Sequence, residues 1–149
     1  MKNLYLSQDE VKELFKKALG DSIDNYKMPQ PIFAITESQI VAYDEINKTL
    51  VLKMPIKEQW LNVYDILQGG MIDVAVDNAI GSLSMLVAPI SLTRTIETKI
   101  LKAIKLELSY IYVEAKFVEQ KKRRLIFEAK VLDEDRNIYA TSKMVNFII

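Results

Sequence analysis

The chain has no histidine and no cysteine among its 149 residues. Without either, nucleophile pairs of the Ser-His and Cys-His kinds are excluded, and so is every zinc site built on His or Cys ligands. Disulfides and thiol chemistry go with them, which suits a reducing compartment, and a cytoplasmic protein is the expectation. Acid-base work near neutral pH falls instead to a carboxylate, a lysine, a tyrosine or water. An excess of charge of either sign is missing too, since 20 Lys+Arg balance 20 Asp+Glu. That removes the electrostatic argument for nucleic acid, and no basic amphipathic helix points to a membrane surface. The opening MKNLYLSQDE lacks the apolar run of a signal peptide. Neither nucleic acid nor a membrane is expected as a partner, and no metal is expected.

What is present is apolar. Half of the residues are hydrophobic, enough to give residues 1–149 one ordinary domain with a real core. The stretch around which the rest is organised is Asn62 to Gly81, NVYDILQGGMIDVAVDNAIG. It tightens at Gly69-Gly70, runs into an apolar segment ending near Val87, and is closed by Pro89. The segment reads as one helix of about 18 residues, roughly 27 Å long. Met71, Ile72, Val76, Ile80, Leu83 and Leu86 leave it little polar face, the mark of a buried helix. Its two aspartates, one asparagine and two serines argue against a membrane span. A carboxylate in such a helix is costly unless it is paired, solvated in a pocket or protonated. Asp73 falls in the first helical turn, where the dipole and the free N–H groups favour an acid, and it reads as structural. Asp77 lies beyond that turn and is the candidate for chemistry.

Around this helix the chain reads as follows. Ser7 and Glu10 form a capping-box pattern, and Val11, Leu14, Phe15, Ala18 and Leu19 follow at helical spacing up to Gly20. Residues 21–31 read as a loop. Ile32 to Tyr43 and Thr49 to Met54 are expected as a hairpin of two strands turning at 44–48. After Pro89 a Thr-rich passage, SLTRTIETK, leads to the clearest alternation, Ile104 to Tyr112. Strands at Glu114 to Glu119, Arg124 to Leu132 and Ile138 to Phe147 complete four after the helix. A helix apolar on all sides needs more than one apolar neighbour. One sheet of six strands wraps part of it, and a second copy of the chain is the simplest cover for the rest.

Three features share one spacing: Gln68-Gly69-Gly70 at the helix start, Asp77 nine residues after Gln68, and Asn62 six before it. In this the chain resembles the hotdog-fold acyl-CoA thioesterases of the phenylacetyl-CoA thioesterase type, in the 4-hydroxybenzoyl-CoA thioesterase superfamily. Those carry His-Gly-Gly at the start of the central helix, an acid at the same spacing as Asp77, and often an Asn at that of Asn62. The resemblance implies an α+β hotdog fold, a six-stranded antiparallel sheet wrapped around one long central helix. Residues 1–31 would be an added N-terminal helix and loop, and about 32–147 the hotdog core. It also implies hydrolysis of a small or medium acyl-CoA at a dimer interface, in a dimer or a dimer of dimers. Asp77 of one subunit would face Asn62, Gln68, Gly69 and Gly70 of the other, as general base or as nucleophile. The Gly69 N–H would stabilise the oxyanion. No cofactor is implied beyond the coenzyme A of the substrate, and acyl carrier protein is an alternative carrier.

The sequence departs from that family at Gln68, where a group that hydrogen-bonds but does not titrate replaces the His. The family also has a Ser or Thr beyond the helix that orients water. Thr93, Thr95 and Thr98 are all available here, and spacing does not choose among them. Lys121-Lys122-Arg123-Arg124 reads as a solvated turn or as a phosphate contact for coenzyme A. Trp60 reads as an acyl-pocket wall or as interface packing. The rival function is a hotdog protein that binds an acyl-CoA without turning it over. A hotdog dehydratase is disfavoured, because its usual His is absent.

Overall fold

The computed structural model describes residues 5–149. Helix α1 (Gln8–Leu19) starts at the expected capping box: the Glu10 N–H donates to Ser7 Oγ at 3.1 Å, and the Ser7 N–H to Glu10 Oε2 at 3.0 Å. Its apolar side buries Val11 and Phe15 against the long helix α3 (Gly69–Val87) and strand β1 (Gln39–Asp44). Strand β2 (Thr49–Pro55) closes a hairpin with β1, and Asp44 caps the turn by accepting the Asn47 N–H at 3.0 Å. After α3 come β3 (Ser91–Ile100), β4 (Tyr110–Lys121), β5 (Arg124–Leu132) and β6 (Ile138–Ile148). All neighbours are antiparallel, in the order β1-β2-β4-β5-β6-β3. The helix leaves β2 near one edge and delivers the chain to β3 at the other, so the sheet wraps it in the hotdog arrangement.

Alternate residues of the strands point at the helix. Leu50, Leu52, Met54, Val113, Ala115, Phe127, Val131, Ala140 and Met144 meet Ile72, Ala75, Val76, Ala79, Ile80 and Leu83 in one core. The outer row Glu97, Lys143, Glu128, Lys116 alternates in sign across the strands, a pattern that favours exposed cross-strand neighbours. By length and hydropathy α3 could cross a membrane; here its apolar side is spent on the sheet.

Three stretches differ from the sequence reading. The strand expected over Ile32 to Tyr43 is a short helix α2 (Pro31–Thr36) followed by β1. Pro31 sits in its first turn, where a missing N–H costs nothing, and Glu37 ends it in the left-handed region at φ 54°. Its C-terminal end is fixed by one local network and one tertiary bond: the Thr36 hydroxyl bonds Ile32 O at 2.9 Å and Ser38 Oγ at 2.8 Å, and Asn78 Nδ2 reaches Ser38 at 3.3 Å. The alternation from Ile104 to Ser109 is not in the sheet, because its backbone bonds go to the loop before α3. Leu67 N–H donates to Ile104 O at 2.8 Å and Ile66 bridges Lys105. A 3-10 turn at Leu106–Leu108 and Ser109 at φ 64° then lead into β4, which takes the end of one expected strand and the whole of the next without a break and carries a bulge at Val118. The Thr-rich passage is the missing sixth strand, β3.

The β5–β6 turn is built on one carboxylate. Asp133 accepts the N–H groups of Asp135 (3.0 Å) and Asn137 (2.9 Å), Asn137 Nδ2 (2.9 Å) and the Tyr139 hydroxyl (3.4 Å). Burial pushes the carboxyl up, but the bonds from Asn137, Asp135 and Tyr139 outweigh it and leave the pKa below its ordinary value. A carboxyl depressed by folding stabilises the protein above its unfolded pKa of about 3.9 and loses that contribution as pH falls through the folded value. Asp133→Ala is expected to cost about 1–3 kcal/mol near pH 7. Thermal unfolding followed from about pH 7 to about pH 3 should show wild type losing more stability than Asp133→Asn, with the gap closing at the acid end.

Candidate functional site

The approach to α3 is a stapled loop. Asn62 Oδ1 accepts the N–H groups of Tyr64 (2.9 Å) and Ile66 (3.2 Å), and its own N–H donates to Ile66 O at 2.7 Å. This is the Asx geometry by which asparagine organises a turn, and it carries Asp65 at φ 58°. Asn62 therefore commits its amide oxygen to the loop, and its Nδ2 group makes no hydrogen bond among the described residues. Val63 and Tyr64 stand at the tip, 91% and 77% exposed. Trp60 packs at the core margin beneath Lys57, whose Nζ is 4.9 Å from its ring centre and also pairs with Glu37.

Gln68 is the last residue before α3. Its N–H donates to Trp60 O at 2.9 Å, while its side chain is exposed and makes no cap. The Gly69 and Gly70 N–H groups find no acceptor among the described residues. Two free N–H groups at the positive end of a long helix suit an anion or a polarised carbonyl. The position of a Cβ on Gly69 would lie 3.4 Å from Ile100 Cδ1, and one on Gly70 would meet nothing within 4 Å.

Strand β3 runs antiparallel along α3 and meets it with polar groups. Ile100 stands over Gly69, the Thr98 hydroxyl donates to Asp73 Oδ1 at 2.5 Å, the Thr93 hydroxyl donates to Asp77 Oδ1 at 3.1 Å, and Ser91 meets Ser84 at 3.0 Å. Of the three threonines that spacing left open, Thr93 is the one on Asp77. The bulge at Arg94 explains the choice: Thr93 pairs with the buried Asn146 on the helix side, and Thr95 falls beside Val145 on the outer face. Asp77 is exposed rather than enclosed in its own chain.

Asn62, Gln68, Gly69 and Gly70 thus gather at one end of α3, with Asp77 two turns on. Eight residues from Gly69 to Asp77 make about 12 Å along a helix axis, so these two groups of one chain do not reach the same carbonyl. The basic run lies elsewhere. Lys121 pairs with Glu119 at 3.3 Å and Arg123 bonds Ile148 O at 2.8 Å, while Arg124 shares a row with Phe147 and Leu92 at the Thr93 end of β3. The outer edge of β3 has no strand partner among the described residues. Leu92, Ile100 and Leu101, each about half exposed, border it.

No protein-family model matches the chain, and no curated protein matches it. Solved structures do share its fold. The PaaI protein of the E. coli phenylacetic acid degradation operon superposes with a TM-score of 0.76 at 16% identity, covering 91% of this chain and 96% of its own. The smu.793 protein of Streptococcus mutans UA159, bound to acetyl CoA, gives 0.68 at 17%, covering 75% and 88%. A hypothetical thioesterase of Streptococcus pneumoniae TIGR4, with coenzyme A, gives 0.70 at 16%, covering 78% and 90%.

Proposed function

We propose that the protein is an acyl-CoA thioesterase that works as a homodimer, hydrolysing a small or medium acyl-CoA with Asp77 of one subunit and the α3 start of the other. The observation that carries the reading is the pair of unmet needs in a single chain. Two N–H groups at Gly69 and Gly70 lack acceptors among the described residues, and an exposed carboxylate, oriented by Thr93, stands about 12 Å along the helix from them. A two-fold partner lying along the unpaired edge of β3 joins one need to the other. It also covers the apolar groups that border that edge. The folds of coenzyme A-bound neighbours add support.

In this reading the thioester carbonyl oxygen lies on the Gly69 N–H, with Gly70 beside it, and these donors take up the charge of the tetrahedral intermediate. Asp77 removes a proton from water as the water attacks, or attacks the carbonyl itself and is freed by water afterwards. The C–S bond breaks in either case, giving a carboxylic acid and the coenzyme A thiol. Thr93 fixes one oxygen of Asp77 and leaves the other for the reaction. Gln68 and the Asn62 Nδ2 group orient the acyl group. The chain is read as cytoplasmic and needs no cofactor.

Gln68, where the resembled family has a His, favours the second reading: a protein that holds an acyl-CoA without cleaving it. A thiol-release assay on purified protein against a panel of acyl-CoA esters separates the two. Release that depends on the acyl group supports the enzyme. Tight binding with no free thiol above the uncatalysed rate supports the binder.

A further inference from the structure

We infer that Thr98 and Ser142 form a hydroxyl clamp that holds the Asp73 carboxylate against β3 and away from the Gly69 and Gly70 N–H groups, which makes Thr98 a positioning residue for the hydrolysis proposed above, on which this inference rests. Asp73 lies four residues after Gly69, past the first turn in which the sequence reading places it, hence one turn on along the same face of the helix. Helical side chains lean toward the N-terminus, so an unrestrained Asp73 leans toward the two free donors and the positive end of the dipole. Its charge would then stand closer to the substrate oxygen held on those donors. At about 6 Å and an effective dielectric near 20, a full negative charge beside the oxyanion disfavours it by on the order of a hundredfold.

The structure avoids this. Asp73 Oδ1 takes the Thr98 hydroxyl proton at 2.5 Å, the shortest of the hydroxyl bonds along the α3–β3 seam. The Thr98 oxygen in turn meets Ser142 Oγ at 2.9 Å, and Ser142 also reaches Glu97 O at 3.3 Å. Thr98 and Ser142 are register partners on the helix side of β3 and β6, and Ser142 is buried. Ser142 therefore has its proton directed at Thr98 or at Glu97 O, and the Thr98 proton is left for Asp73. The neighbouring residue on the same face of β3, Ile100, fills the space above Gly69 with an apolar group. One strand thus supplies a hydroxyl where the acid must be held and none where the oxyanion must bind.

The test is a cycle of T98V, D73N and the double variant, with T98S as the rescue, read as kcat and KM for thiol release beside melting temperature. Loss of the hydroxyl in T98V is expected to lower kcat about tenfold with KM little changed, because the freed charge acts on the developing oxyanion. Removing that charge in T98V/D73N should restore kcat to within about threefold of wild type, and T98S, which keeps the hydroxyl, should do the same. D73N alone should gain up to about threefold. A double variant as slow as T98V, or slower, overturns the clamp and leaves Thr98 a packing residue. D73N falling as far as Asp77→Asn overturns it as well and makes Asp73 the reacting acid. An active wild type with a failed cycle removes this inference alone, whereas no thiol release from wild type removes the proposed function and the inference together.

Discussion

Asp77→Asn should lose thioester hydrolysis by about 10²-fold or more while keeping the fold. The substitution is nearly isosteric, and its carboxamide oxygen still accepts the Thr93 hydroxyl that Asp77 holds at 3.1 Å. What disappears is the ability to take a proton or to attack a carbonyl near neutral pH. The position is exposed in the single chain, so little packing is disturbed and the melting temperature should barely move. A hydrolytic rate that survived the change would mean that some other group activates water, and Asp73 would be the first alternative, one turn earlier on the same helix. The measurement is kcat/KM on the best ester of the panel, with unfolding curves for both proteins.

Gly69→Pro should lose about 10²–10³ in kcat, the usual cost of one missing oxyanion donor. Proline deletes the N–H and almost nothing else at this position. It is tolerated at the first residue of a helix, and the Gly69 N–H has no acceptor among the described residues to lose. The residue before proline must be extended, and Gln68, at φ −56° and ψ 133°, already is. The added Cβ meets the end of Ile100 at ordinary contact distance, 3.4 Å. Gly69→Ala keeps the N–H and adds the same carbon, so it should stay within about tenfold of wild type and separates the donor from the bulk. Equal losses in the two variants would assign the effect to crowding and leave the oxyanion role without support.

The long helix was legible in the sequence because its signal does not depend on context: an apolar run with Gly69-Gly70 before it and Pro89 after it. The capping box of α1 and the hairpin β4–β5 are local in the same way. The misreadings come from context. Ile32 and Ile35 favour a strand by type, yet Pro31 and the bonds of Thr36 to Ser38 and Asn78 hold them in a helix. Ile104 to Ser109 alternate like a strand but give their backbone to the loop at 66–67. Strand β3 does not alternate, because as an edge strand it buries almost none of its residues within one chain. That is why Thr93 could not be chosen from the sequence: the choice depends on the β3 register and its bulge. Asn62 was singled out by the family resemblance, and its part in the loop became visible only with the Tyr64 and Ile66 bonds.

The central claim is that one site is shared by two copies of the chain, and subunit mixing tests it most directly. Asp77→Asn and Gly69→Pro proteins, each nearly inactive alone, are unfolded together and refolded as an equimolar mixture. A mixed dimer then holds one site built from the intact Asp77 of one chain and the intact Gly69 of the other. With random pairing about half of the dimers are mixed and half of their sites are whole, so about a quarter of wild-type activity should return. A mixture that stays at the sum of its two inactive parents, while sedimentation shows that mixed dimers have formed, would contradict the shared site.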